Sequence, residues 1–328
     1  MIYYVHMKMR QMDEDVAELE HQGVKMFDKM LENNPNDPFA LYHKGIALDN
    51  LGEHKQAIEL FKRTLEITPN DLRVLNSKAF VEVKINALED AIRTSEIISR
   101  IDADDFNGWN IRGIAHHKKE QYDEAIKFFN IALQKDPNNF TCLTNKGYST
   151  LLMGDFENAN KLFDKSLEIQ FNNAQAIVFK IQCLSELGRY DEAIKFCDKV
   201  LNHDPNFAEV LFYKGMIHKY LKEYEEAIKY FKKAETVAPN IVLVLYNLAI
   251  TYDYIGEPEK ALIYFDKGLN IEPNNTGILN SKGFVLKNLK RFDEARECFE
   301  RVLEIDPNHD DAFGNMIDIM DDSDDDSL

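Results

Sequence analysis

The sequence holds little that would support covalent chemistry or a membrane span. It has one tryptophan, and its four cysteines (Cys142, Cys183, Cys197 and Cys298) show no CxxC spacing. They therefore read as free thiols in a reducing cytosol. No run of 18 apolar residues occurs, so no spanning helix is expected. The start, MIYYVHMKMRQMDED, lacks a long apolar core and does not read as a signal peptide. GxGxxG, GxxxxGK[ST] and GxSxG are all missing. His116 and His117 are adjacent, so their rings leave different sides of a helix, and no i, i+4 histidine pair accompanies them. We therefore expect no catalytic residues, no metal and no cofactor, and a cytoplasmic location.

Positive charge is also scarce. There are 39 Lys and Arg against 57 Asp and Glu, a net charge of −18. From Asp310 onward there are eight Asp and neither Lys nor Arg. An acidic surface repels phosphate backbones, which argues against nucleic acid as a general partner. Hydrophobic content of 45%, with 21 Phe, argues against a disordered chain.

What the chain does have is a period. Pro35, Pro69, Pro137, Pro205, Pro239, Pro273 and Pro307 are separated by multiples of 34 residues, with Ala103 and Phe171 at the two unfilled points. Ala57, Ala91, Ala125, Ala159, Ala193, Ala227, Ala261 and Ala295 form a second ladder without gaps. A fixed period of this length indicates one supersecondary unit stacked many times. The stretch from Phe106 to Asn139 carries two helical patterns. In the first, roughly Asn107 to Lys119, Trp109, Gly113 and His116 share a face; in the second, roughly Tyr122 to Lys135, the apolar face is Ala125, Phe128, Phe129 and Ala132. Gly52, Gly154, Gly188 and Gly256, with Asn86, stand where the first helix must end in a left-handed residue. Acidic pairs such as Asp123-Glu124 open the second helix and oppose its dipole. The prolines follow it and cannot continue it. The alanine ladder faces small residues on the first helix (Gly45, Ala79, Gly113, Gly147, Gly215, Ala249, Gly283), a pattern that permits close approach. Ile181 interrupts it beside Phe171, which predicts altered packing around residues 140–207.

The period, the helix–turn–helix unit, the W/L…G/A…A…F/Y…A…P pattern and the ending DPNN resemble the tetratricopeptide repeat. Eight repeats are assigned: 38–71, 72–105, 106–139, 140–173, 174–207, 208–241, 242–275 and 276–309. An N-terminal segment, 1–37, would hold a half-repeat helix at about 13–32; a capping helix is expected at 310–320 and an acidic, disordered tail at 321–328. Neither flank has room for a catalytic domain. The resemblance implies an all-α fold, a right-handed superhelical α-solenoid of antiparallel helix pairs. It implies a groove lined by first helices and a protein or peptide ligand; from charge and hydropathy no nucleic acid and no membrane is expected as partner, and a monomer is favoured.

In that family the groove is lined by one half of the first helix. The ninth position of each repeat contributes Ile46, Phe80, Ile114, Tyr148, Gln182, Met216, Ile250 and Phe284. The fifth contributes Tyr42, Asn76, Asn110, Thr144, Val178, Phe212, Tyr246 and Asn280. Tyr220 and Tyr254 extend the aromatic end. This reads as an apolar surface with interleaved amides that could pair with an extended backbone; the same side chains could instead pack against neighbouring helices. Family members that grip a terminal carboxylate use a Lys/Asn/Arg set, of which only Asn145 and Asn247 match, so no such clamp is expected. A basic ladder (Lys44, Lys78, Arg112, Lys146, Lys180, Lys214, Lys282, with Leu248 in the remaining slot) is expected to bury its stems and reach water or a carboxylate. Candidate carboxylates are Asp90, Glu124, Glu192, Glu226 and Glu294. The function expected is a scaffold or adaptor that binds a peptide or helical segment; the alternative is a regulatory or substrate-presenting subunit of an enzyme complex.

Overall fold

The computed structural model describes residues 2–325, and side chains from Ala17 to Ile319. Every regular element among them is helical. Helix α1 (Ile2–Asn33) is followed by eight helix pairs. These are α2 (Pro38–Asn50) with α3 (His54–Ile67), α4 (Leu72–Lys84) with α5 (Leu88–Ile101), α6 (Phe106–Lys118) with α7 (Tyr122–Lys135), and α8 (Phe140–Leu152) with α9 (Phe156–Ile169). Then come α10 (Ala174–Glu186) and α11 (Tyr190–His203), α12 (Ala208–Tyr220) and α13 (Tyr224–Val237), α14 (Val242–Tyr254) and α15 (Pro258–Ile271), and α16 (Thr276–Asn288) and α17 (Phe292–Ile305). Helix α18 (Asp310–Asp325) ends the series. First helices have 13 residues and second helices 14 throughout, so the period never slips.

Both terminal helices are longer than the sequence suggested. Helix α1 begins at Ile2, not near residue 13, and α18 continues through 321–325, where an irregular tail was expected. Neither added stretch contains Gly or Pro, so nothing in it breaks a helix. The rest of the expected tail, 326–328, lies outside the described residues.

Local chemistry explains the regularity. The last residue of each repeat is the N-cap of the next first helix. The Asp37 carboxylate accepts from the backbone N–H groups of Phe39 and Ala40, Asp105 from Gly108, Asn139 from Cys142, and Asn275 from Ile278. Each such bond satisfies a helix-start donor that would otherwise have no partner. Phe207 and Ile241 hold the same register and cap nothing with their side chains. The turn between paired helices has positive φ at one position in all eight repeats. Glycine fills it four times (Gly52, Gly154, Gly188, Gly256) and Asn86 once, as the sequence indicated; Glu120, Lys222 and Lys290 adopt the same conformation with φ near 60°.

The small residue of the first helix has a different partner from the alanine ladder. A Cβ added at Gly45, Gly113, Gly147, Gly215 or Gly283 would come within 2.7 Å of Phe61, Phe129, Phe163, Phe231 or Phe299, respectively. Each ring comes from the paired second helix and is fully buried. Where the ring is absent, the first-helix residue changes: Ala79 stands in register with Ser95, and Ile181 with Cys197. Ile181 and Cys197 are both fully buried. The apparent fault at Ile181 is thus an exchange of volumes between two helix positions. A similar exchange joins successive repeats, where the Gly108 Cβ site is filled by Ile98 and that of Gly268 by Ile278.

Five members of the basic ladder find carboxylates, none of them the candidates named from sequence: Lys78 pairs with Glu82 on its own helix, and four pair between helices, while Arg112 bonds to Ser95 and Ser99 instead. Lys44 pairs with Asp28, Lys180 with Asp164, Lys214 with Asp198, and Lys282 with Asp266 at 2.7 Å. Each acid lies 16 residues earlier, on the preceding second helix, so the pairs tie adjacent repeats. The expected partners are engaged locally: Asp90 with Arg93, Glu124 with Lys127, Glu192 with Arg189, Glu226 with Lys229 and Glu294 with Arg291. Burial alone would lower the pKa of Lys214, but hydrogen bonds with Asp198 and Tyr230 hold it above the usual lysine value. At Leu248 the residue 16 earlier is Lys232, so base and acid are lost together.

The chain divides into two compact bodies, 1–180 and 181–328, and the division falls inside α10 at Ile181. Among the described residues no helix is long and apolar enough to cross a membrane. All four cysteines are buried, and burial pushes the thiols of Cys142 and Cys197 up to about 12.

Candidate functional site: the first-helix faces

Within each body the first helices of successive repeats touch one another. In the first body α2 meets α4, α4 meets α6, and α6 meets α8; in the second, α14 meets α16 and α16 meets α18. Successive second helices are spaced more widely along the backbone, and long side chains bridge them, as where Lys267 of α15 reaches Glu235 of α13 at 2.7 Å. The first helices therefore form the tighter row within each body, and the side of that row turned from the second helices can meet a ligand.

The residues singled out from the sequence fall into three groups on that row. Four are open to solvent: Phe80 (37% exposed), Phe284 (45%), Tyr254 (59%) and Tyr220 (69%). Asn110 is buried. The others are half-buried, and most of them bridge one first helix to the next or support the core. The hydroxyl of Tyr42 meets Ser77 Oγ at 3.3 Å, and Tyr246, in the equivalent place, meets Ser281 Oγ at 3.3 Å. The Tyr148 ring stacks on Phe179 with centroids 4.2 Å apart. Tyr42, Ile46 and Ile114 pack on the cores of the first body. Phe212, Met216, Tyr246 and Ile250 do the same in the second. Among the position-nine residues, Gln182 donates to the Tyr213 hydroxyl at 2.6 Å. The aromatic stripe thus divides between packing and surface, and its open part lies mainly on α12, α14 and α16.

The amides carry a feature that spacing alone did not reveal. Asn76, Asn110 and Asn280 share the fifth position, and in each the Oδ1 atom is buried and accepts no hydrogen bond. Asn76 Nδ2 donates to Asp105 at 3.2 Å, so that side chain is held by its other end. A buried acceptor without a donor is costly, and of the three only Asn280 lines the cleft described below, where a ligand N–H could approach it. Asn247, which could have belonged to a carboxylate clamp, is buried and accepts from Lys219 at 2.7 Å. His117 binds Ser149 Oγ at 2.9 Å and packs against Tyr148, while His116 turns to Gln121, so the two imidazoles do not converge.

At the end of the row in the second body, α14, α16 and α18 line an open cleft of about 610 Å³. Ile250, Tyr254, Phe284 and Val285 supply its apolar wall, and Asn280, Ser281 and Asn315 its amides and hydroxyl. Asp253, Asp310, Asp311 and Asp318 also line it. Lys287 neutralises Asp318 at 2.8 Å and donates to Asn315 at 3.0 Å. Burial raises the pKa of Asp253 above the ordinary carboxylate value. Sequence reasoning identified Ile250, Tyr254, Asn280 and Phe284 here but missed the acids. Asp310 and Asp311 read as the start of a cap, and nothing in the linear order joins them to Asp253.

The fold and this face define a class: an all-α stack of antiparallel helix pairs whose first helices lie beside one another within each body. Sequence models described as tetratricopeptide repeat match residues 26–59, 106–139, 150–211, 206–272 and 278–309, together more than half of the chain. The chain belongs to the tetratricopeptide repeat family. No curated protein matches it. Among solved structures, a chain of the APC/C hetero-tetramer Cut9–Hcn1 is similar with a TM-score of 0.57 at 16% identity, covering 85% of this chain and 55% of that one. A tetratricopeptide repeat protein from Parabacteroides merdae is similar with a TM-score of 0.59 at 15% identity, covering 76% of this chain and 98% of that one. This chain thus spans little more than half the length of the Cut9–Hcn1 chain.

Proposed function

We propose that the protein is an interaction scaffold that binds a peptide or helical segment of a partner protein on its first-helix face, without chemistry on that partner. The fold is that of a protein-interaction scaffold; the choice of face is our reading. The observation that carries it is the coexistence, on the first helices of the second body, of exposed aromatics (Tyr220, Tyr254, Phe284) and a buried amide oxygen without a donor (Asn280). Aromatic anchors dominate the energetics of protein interfaces, and an extended backbone supplies the missing N–H. Buried, unreactive thiols fit a reducing, cytoplasmic setting.

Affinity capture with mass spectrometry tests this reading, using wild type against Tyr254→Ser with Phe284→Ser. Both side chains are exposed, so the double variant is expected to keep its helical circular dichroism and lose its partner. Retention of the same partner by the folded variant would refute the assignment of the face. The likeness to a chain of a hetero-tetramer keeps the enzyme-subunit role as a second reading; stoichiometric co-purification of an enzyme would support it.

A further inference from the structure

The open cleft lined by α14, α16 and α18 is set apart by its charge. Three of its carboxylates (Asp253, Asp310 and Asp311) have no basic partner among the described residues. Asp310 and Asp311 sit in the first turn of α18, where the helix dipole favours an acid. Asp253 has no such reason to be there. It lies in the last turn of α14, the end where the dipole opposes negative charge, and it is partly buried. The dipole and burial both oppose a charged carboxylate there, and a bound cation would favour it. Beside it are the exposed rings of Tyr254 and Phe284 and the buried Asn280 oxygen without a donor. Carboxylates, aromatic faces and an amide acceptor form a surface complementary to guanidinium or ammonium groups on apolar stems.

We propose that this cleft binds a basic, amphipathic peptide segment of the partner, with Arg or Lys side chains reaching Asp253 and Asp311 while apolar side chains lie on Tyr254 and Phe284. The inference rests on the scaffold reading and specifies its ligand. Charge excludes the nearest alternative occupants: the chain's own end from 321 onward is acidic, and a second copy with a net charge of −18 is repelled.

Fluorescence anisotropy with the full chain tests it, with labelled peptides that alternate arginine with leucine, glutamine with leucine, and glutamate with leucine. The arginine peptide is expected to bind most tightly, and Asp253→Asn with Asp311→Asn to weaken it about tenfold or more. Removing two acids from the opposite helix of the last pair, Glu297→Gln with Glu300→Gln, is expected to leave its affinity unchanged and so excludes non-specific attraction to an acidic protein. Phe284→Ser is expected to weaken the arginine and glutamine peptides alike. Equal binding of these two peptides, an unchanged affinity in the Asp253/Asp311 variant, equal losses in the two acid-removal variants, or no binding of the arginine peptide would each overturn the basic ligand. Those results leave the capture experiment above unaffected, so failure of the charge argument is distinguishable from failure of the scaffold reading.

Discussion

At the scale of single residues, stability depends on paired volumes. Gly113 illustrates this most sharply, because a methyl group there would stand 2.5 Å from the buried Phe129 ring. Gly113→Ala should therefore destabilise the protein by about 1–3 kcal/mol, the usual range for overpacking, measurable as a lower thermal midpoint. The reverse logic applies at Ile181 and Cys197. Cys197→Phe alone should overpack its site, and Ile181→Gly in the same chain should recover part of the loss; additive losses in a double-mutant cycle would refute the volume exchange. Buried thiols with raised pKa react slowly because the thiolate is scarce and enclosed. Cys142 and Cys197 should resist alkylation at neutral pH until the chain unfolds, which mass spectrometry of iodoacetamide-treated protein can follow.

At the scale of the helix and its turns, caps and left-handed residues set where each element starts and stops. Glu120, Lys222 and Lys290 occupy positive φ that glycine takes elsewhere in the array. A left-handed L-residue costs about 1–2 kcal/mol, and glycine adds about 0.5–1 kcal/mol of entropy, so each change to Gly should stabilise by a few tenths to about 1 kcal/mol. Asn275→Ala, which deletes the side-chain bond to the Ile278 N–H, should cost about 1 kcal/mol. Chemical denaturation of single variants checks both. The turn was legible in the sequence because four glycines and Asn86 mark it. Its three remaining instances were not, since Glu and Lys carry no left-handed signature and adopt that conformation only under the constraint of the stack. The caps were visible as DPNN but not recognised as caps, because their role depends on the helix that follows.

At the scale of the molecule, a strict period reveals the architecture, since every element recurs in the same register. The binding face was only partly legible. Helical spacing put Tyr246 and Phe284 in one set, yet Tyr246 bonds to Ser281 and packs on the core while Phe284 stands open. What separates them is the approach of neighbouring first helices, a tertiary property with no sequence period. The lysine ladder was legible as a pattern, but its partners were misassigned because the pairs form between repeats. The cleft acids were missed for the same reason: Asp253 and Asp311 come together only through packing.

The central claim is that the partner occupies the first-helix face, and hydroxyl-radical footprinting of the captured complex tests it most directly. Tyr220, Tyr254 and Phe284 should be protected on binding, while the exposed second-helix residues Ile263 and Ile271 remain as reactive as in the free protein. Protection of Ile263 and Ile271 with Tyr254 and Phe284 left reactive would contradict the account.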